Sequence, residues 1–290
     1  MSPRRRNYMP FLGSEALASG KLNRYQLRTR YEVVYRDVYV PRGTNLTPED
    51  KAVAAWLWSG RRATAAGLSA AALHRSAWID AKHPAELNQP SQHKTAGIVL
   101  HSDALADDEI CLVRGIKTTT PHRTAFDLGR RRGLTTAVIR VDALLQATSL
   151  KISEVHPLVL RHKGMRGLVQ LREVLDLADD GAESPPETRL RLLYTEAGMR
   201  PSHTQINVFD EYTFIGRIDM GWPRWKVGVQ YDGIQHWTDP RQRTKDIDQD
   251  AQYRELGWRL VRVGADLLKN RPRAVIDRTR HALQAAGAPY

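Results

Sequence analysis

Residues 214–237 read FIGRIDMGWPRWKVGVQYDGIQHW, and they hold the side chains of this chain best suited to chemistry. The pattern predicts two adjacent strands, each ending in an acidic residue. Side chains two apart on a strand point the same way. Ile215, Arg217 and Asp219 are therefore expected on one face of the first strand. In the second, Lys226, Gly228, Gln230 and Asp232 share one face, and Val227, Val229 and Tyr231 share the other. A turn over 221–225 would bring Asp219 close to Gln230 and Asp232. Gly233 lets the chain turn sharply, and His236 follows. Carboxylates, a carboxamide and an imidazole gathered at one sheet edge suit a hard divalent cation and a phosphate. The plainer reading makes both aspartates strand ends and His236 a packing residue.

The flanking elements decide whether such a group can form. The small, polar, proline-containing stretch 179–186 marks a domain boundary. After it, ETRLRLLYTEAG predicts a helix with Glu187 in its first turn and Leu190, Leu193 and Tyr194 on its inner face. A strand at 205–208 comes next, then the two strands above. A helix carrying Asp246, Asp250 and Tyr253 ends at Gly257. WRLVRV (258–263) reads as a buried strand, with helices to about residue 285. Helix, three strands, helix, strand, helix is a compact α/β core.

That order, with the segments SPPETRLR, GRIDMGW, VGVQYDGIQHW and ELGWRLVRV, resembles the PD-(D/E)XK nuclease superfamily. Within it, residues 183–285 are similar to the very-short-patch-repair (Vsr)-like endonuclease domains. The resemblance implies a restriction-endonuclease-like mixed sheet flanked by helices. It puts Asp219 at the metal-binding aspartate, Gln230 at the following acidic position and Asp232 where many members carry lysine. Glu187 falls on the helix glutamate that completes the metal shell, and His236 on the histidine after the DG turn. It thus implies Mg²⁺ or Mn²⁺ on Asp219, Gln230 and Glu187, hydrolysing DNA phosphodiesters with His236 as acid or base. Two departures stand out. Gln230 offers a neutral oxygen where a carboxylate is usual, and Asp232 cannot act as a cation beside a phosphate. Arg224, Lys226 and Lys245 are expected at flanking phosphates. Trp222, Trp225 and Trp237 are expected either in the core or stacked on bases.

The whole chain has 290 residues, 41% hydrophobic and 26% charged, an ordinary globular balance. No apolar run approaches a bilayer span, and MSPRRRNYMPFLG lacks the apolar region of a signal peptide. No membrane association and no small-molecule cofactor are expected. Cys111 is the only cysteine, which excludes an intrachain disulfide and a cysteine zinc site and fits the cytoplasm. A net charge of +12 points to a polyanion, most often nucleic acid. Residues 1–48 carry nine Lys or Arg against three Asp or Glu, half of that net charge.

Arg4, Arg5 and Arg6 make a basic arm. Ser14 is expected to cap a short helix through Leu17, and a second helix runs from Leu22 to about Arg30. Its outward side chains include Arg24, Gln26, Arg28 and Arg30. YEVVYRDVYVPRG then alternates as a ribbon, with Val34, Arg36, Val38 and Val40 on one side. The set resembles a reduced winged helix-turn-helix, which implies that the second helix enters the DNA major groove. Solvated arginines on a small lid are the alternative. Thr47-Pro48-Glu49-Asp50 starts a helix, Ser69 another and Thr120-Pro121 a third. Strands are expected at 97–102 and 109–115, and helices at 134–147, 153–162 and 168–178. His74, His101 and His122 read as surface or packing residues.

The order VYVPRG, SAAALH, TTTPHRTAFDL resembles AbiEi-type antitoxins and regulators, which implies DNA binding by the first 45 or so residues. The expected division is 1–45 reader, 46–180 mixed α/β middle region and 181–290 nuclease-like domain. The leading expectation is a metal-dependent DNA endonuclease with a basic reader. The competing one is a regulator or antitoxin whose nuclease fold is only a scaffold, and the third is an RNA nuclease. Homodimeric assembly is left open.

Overall fold

The computed structural model describes residues 9–90, 95–233 and 240–290, the side chains of 240–247 excepted. The chain forms two compact units, Met1–Leu175 and Asp176–Tyr290. Both mix α and β, as the sequence predicts. Among the described residues no helix is long and apolar enough to cross a membrane.

The first unit opens with β1 (Phe11–Leu12), α1 (Gly13–Ala18) and α2 (Arg24–Arg30), then a hairpin of β2 (Tyr31–Tyr35) and β3 (Val38–Pro41). The strand order β1-β3-β2 is antiparallel throughout. Two local expectations are corrected here. Ser14 does not cap α1; its N–H and Oγ both donate to the Asp37 carboxylate, at 2.9 and 2.5 Å. Asp37 sits at positive φ between β2 and β3, so the alternation read across residues 34–40 is broken by a turn.

Next come α3 (Pro48–Trp58), β4 (Thr64–Ala65), α4 (Gly67–Leu73), β5 (Ala85–Asn88), β6 (Ile98–His101), β7 (Ile110–Val113) and β8 (Ile116–Thr119). The unit closes with α5 (Pro121–Gly129), α6 (Leu134–Ala147), α7 (His156–Arg161) and α8 (Leu168–Leu177). Thr47 and Asp50 form a capping box at α3, and Thr120 caps α5. Ser69 lies inside α4 instead of starting it, and its Oγ accepts the Glu86 N–H. The five strands form a mixed sheet in the order β6-β5-β4-β8-β7. One core gathers Tyr35 and Val38 from the hairpin, Ala52 and Leu57 from α3, and Leu87 from β5. The β2–β3 hairpin therefore shares its hydrophobic support with the elements that follow it.

In the second unit α9 (Pro185–Glu196) precedes β9 (His203–Asp210), β10 (Thr213–Trp222) and β11 (Val227–Asp232). Then follow α10 (Pro240–Glu255), β12 (Arg259–Gly264), α11 (Ala265–Asn270) and α12 (Pro272–Ala285). Strands β9, β10 and β11 form an antiparallel meander, and β12 returns through α10 to pair in parallel with β11. The predicted element order is the observed one. Val227 and Val229 pack with Met220, Trp222, Leu190 of α9 and Val275 of α12. On the other side Ile218 packs with Val208 and with Tyr253 of α10, and Gly228 backs onto Ile218 and Leu260.

Candidate functional site

Helix α2 is built by local rules. Asn23 caps α2 by accepting the Gln26 N–H at 2.8 Å, and Gln26 Oε1 accepts the Asn23 N–H at 3.0 Å. Arg42 closes the other end, donating to the carbonyls of Arg28 and Thr29 at 2.8 and 3.1 Å. Leu27 is buried, and Arg24, Arg28 and Arg30 are exposed beside Tyr25, which is 68% exposed. The helix thus presents three arginines and an aromatic ring to solvent. The Gln26 side-chain oxygen is taken by the cap.

In the second unit Asp219 and Glu187 come together. β10 and β11 pair from Trp222↔Val227 as far as Met220↔Val229. Beyond that point the Asp219 carboxylate replaces a backbone acceptor and takes the Tyr231 N–H at 2.6 Å. Burial pushes the Asp219 carboxyl up to about 7; the Tyr231 hydrogen bond opposes this, and the nearby Glu187 charge adds to it. Glu187 is buried in the first turn of α9. Ser184 Oγ and the Glu183 N–H donate to it at 2.7 and 3.0 Å, and Gln205 Nε2 at 3.2 Å. Burial raises its carboxyl above the ordinary range despite those donors. Its cation neighbour, Arg217, is engaged with Glu183 at 2.6 Å.

The strand-end carboxylates differ in their hydrogen-bond partners. Asp232 accepts from Arg262 of β12 at 2.9 Å, and Arg262 also binds Asp250 of α10 at 2.6 Å. Asp232 is thus tied through Arg262 to Asp250 of α10, and its charge, like that of Glu187, adds to the upward push on the Asp219 carboxyl. Strict alternation on β10 fails here, because Ile218 joins the α10 side and Met220 the α9 side although they are two apart. The pairing register also shifts between Phe214 and Gly216, and Ile215 packs with Ile218 rather than sharing a face with Arg217. Gln230 Nε2 donates to the Arg217 carbonyl at 3.3 Å, leaving its buried Oε1 without a hydrogen-bond partner.

Gln205 was not anticipated. It lies across β10 from Asp219, since Ile206 pairs with Ile218 and Thr204 with Met220. Its φ is +49°, a left-handed conformation uncommon for residues other than glycine, asparagine and aspartate, and its buried Oε1 is also unpartnered. Nothing in a single glutamine within a strand pattern signals this. Two carboxyls held above their usual range, beside strands that carry unpartnered buried amide oxygens, fit a hard oxygen-seeking cation. Among the described residues no group of three His, Cys, Asp or Glu converges on one point.

Other candidates are placed differently. Lys226 sits at the β10–β11 turn with φ +47°, and its ammonium donates to the Leu256 carbonyl at 2.8 Å. Arg224 stacks over Trp225, 4.9 Å from the ring centroid. Trp222 is buried against Tyr194 and donates to the Arg200 carbonyl, so it belongs to the core. The arm Arg4–Arg6, His236, Trp237 and the side chains of Lys245 and Asp246 lie outside the described residues.

The middle of the first unit holds charge networks that sequence reading missed. Arg123 is 0% exposed and pairs with buried Glu109 and with Asp127 at 2.9 Å. Glu109 also takes His162 at 2.6 Å. Glu86 binds His101 at 2.8 Å and Arg131. Burial opposes ionisation of Glu86, yet the bonds from His101 and Arg131 hold its carboxyl at about 2. These charges are mutually satisfied and serve the fold.

Comparison with known proteins bears on this unit. Residues 54–177 match the family described as the AbiEi antitoxin C-terminal domain. Two uncharacterized proteins, from two strains of Mycobacterium tuberculosis, are each 28% identical over 192 residues. Each alignment covers 66% of this chain and 70% of the relative. No solved structure gives a significant match.

Proposed function

We propose that this chain is a cytoplasmic DNA-binding regulator of the antitoxin type, whose α2 reads a duplex. The observation that carries this reading is the antitoxin-family match at residues 54–177, which follows a small antiparallel sheet and the helix α2 that displays Arg24, Arg28 and Arg30. Arginine is the side chain that most often reads guanine in the major groove, and each good bidentate contact is worth about 1–3 kcal/mol of discrimination. Selection of bound duplexes from a random pool tests it. The wild type should enrich one motif and Arg28→Ala should lose that enrichment. A pool that stays random with the wild type would sink the reading. Neutralising a toxin is the second half of the proposal, tested by rescue of growth when the chain is co-expressed with a toxin encoded beside it.

A second reading, a metal-dependent endonuclease of the PD-(D/E)XK kind, is favoured by the Asp219–Glu187 pair. Asp219 and Glu187 would hold Mg²⁺ or Mn²⁺ with an amide oxygen such as that of Gln230, supplying a polarised phosphodiester and an acidified water. The protein's own contribution is to hold two partly desolvated carboxyls within electrostatic reach of each other and to offer amide oxygens where a third carboxylate is absent. Plasmid nicking with and without Mg²⁺ or Mn²⁺ tests this, with RNA substituted in parallel. Cutting that needs the cation and disappears in Asp219→Ala supports the enzyme. Tight binding without cutting leaves the regulator.

A further inference from the structure

We propose that the first unit carries a second DNA contact, a basic groove between the α5–α6 turn and the start of α8 that holds duplex phosphates regardless of sequence. The groove is open, about 790 Å³, and lined by Arg130, Arg131, Arg132 and Arg166, with Glu173 as its single acidic lining residue. It extends the DNA-binding reading above but does not depend on α2.

Three arginines in succession leave α5, and Gly133 at φ +99° turns the chain into α6. Arg130 is drawn inward by Asp103 and Asp127, at 2.6 and 3.0 Å, and Arg131 by Glu86. Those two fix the wall. Arg132 and Arg166 are exposed, and neither forms an ion pair among the described residues. The opposite wall is pinned to the first by Gln170, whose Nε2 donates to the Gly129 carbonyl at 2.9 Å and also to that of Arg131. Gly167 lies directly on the Arg130 carbonyl, where a side chain would collide with it. The groove is therefore preformed, and its two unpaired guanidiniums are held on rigid supports.

Phosphate fits this surface better than an acidic protein does. A guanidinium fork matches phosphate oxygens bidentately. The net charge of +12 favours a polyanion of extended length. Leu134 and Val169 are its main apolar lining, and no aromatic side chain is there to anchor a protein partner.

The test is fluorescence anisotropy on a mixed-sequence duplex across a salt series, comparing wild type, R132A/R166A and R132K/R166K. Two lost phosphate contacts should reduce the slope of log K against log salt by about 1.8. Affinity in low salt should fall about tenfold or more, alike for every sequence, and the lysine pair should recover most of it. R132A/R166A binding as the wild type does would overturn the groove. So would loss of polyglutamate capture by that variant with DNA binding unchanged, which would assign the surface to an acidic protein. R24A/R28A is measured alongside. If it loses a selected motif but keeps the mixed-sequence slope, both contacts stand. If it changes nothing while R132A/R166A lowers the slope, the groove stands and the α2 reading fails. A wild type that binds no duplex overturns both.

Discussion

Asp219 makes the stability of the second unit depend on pH in an unusual direction. Its carboxyl sits at about 7 in the folded chain, against 3.8 for the free group. An acid raised on folding keeps a proton that the unfolded chain gives up. Its contribution is therefore full below about pH 4 and is lost as pH rises through 7, at about 1.36 kcal/mol per pH unit. The whole step is on the order of 4 kcal/mol, and about 3 kcal/mol of it falls between pH 5 and pH 8. Asp219→Asn removes the titration and keeps an oxygen for the Tyr231 N–H. Urea unfolding followed by tryptophan fluorescence should show the variant gaining on the wild type from pH 5 to pH 8. With an m-value of roughly 1–3 kcal/mol/M the midpoint difference should grow by roughly 1–3 M. Because Glu187 titrates against Asp219, the midpoint belongs to the pair, and Glu187→Gln should lower it. Wild type and Asp219→Asn running parallel across that range would refute the placement of this carboxyl in a dry, anionic corner. Added Mg²⁺ should stabilise the wild type at pH 8 and not at pH 5, since only the ionised pair attracts it.

Glu86 should behave in the opposite sense. Its carboxyl is held at about 2, so its stabilisation is present above the unfolded value near 4.3 and is lost as pH falls through 2. Acid unfolding followed by circular dichroism should lose a step on the order of 3 kcal/mol in Glu86→Gln. Gly167→Ala should lower the melting temperature of the first unit markedly, because φ is +90° and the new Cβ would strike the Arg130 carbonyl oxygen. A melting temperature within a degree of the wild type would show that α8 does not press on that turn.

What could be read in the sequence was what local rules decide. Helices announced by a cap and a proline, such as Thr47-Pro48 and Thr120-Pro121, begin where expected, and α6 runs over the predicted residues 134–147. The helix, three strands, helix, strand order of the second unit was also legible, since its strands are long enough to alternate. β4, β5 and β8 were missed because runs of two to four residues are too short to show an alternation. Ser14 and Ser69 were misassigned because a serine near a helix start looks the same whether it caps or binds elsewhere. The partner that decides the matter, Asp37 or Glu86, is 17 or more residues away. At the site, Asp219 and Glu187 were legible from their elements. The exit of Asp232 toward Arg262 was not, because it depends on a side chain 30 positions downstream and on a strand that slips its alternation at Asp219.

The two units treat buried carboxylates differently, and the contrast bears on function. In the first, Glu86, Glu109 and Asp127 each receive an arginine, so the cost of burial is offset by pairing and Glu86 and Glu109 stay charged. In the second, buried Glu187 and half-buried Asp219 have only amides and a hydroxyl as donors, and Arg217 is claimed by Glu183. A chain with 44 Lys and Arg does not lack cations to place there. A fold that supported only a scaffold would gain stability by replacing either acid with a neutral residue, as the pH argument for Asp219→Asn makes explicit. Strain of this kind persists where something outside the chain relieves it. A divalent cation is the simplest agent that would do so, which is why the pair keeps the nuclease reading alive beside the regulator that the first unit supports.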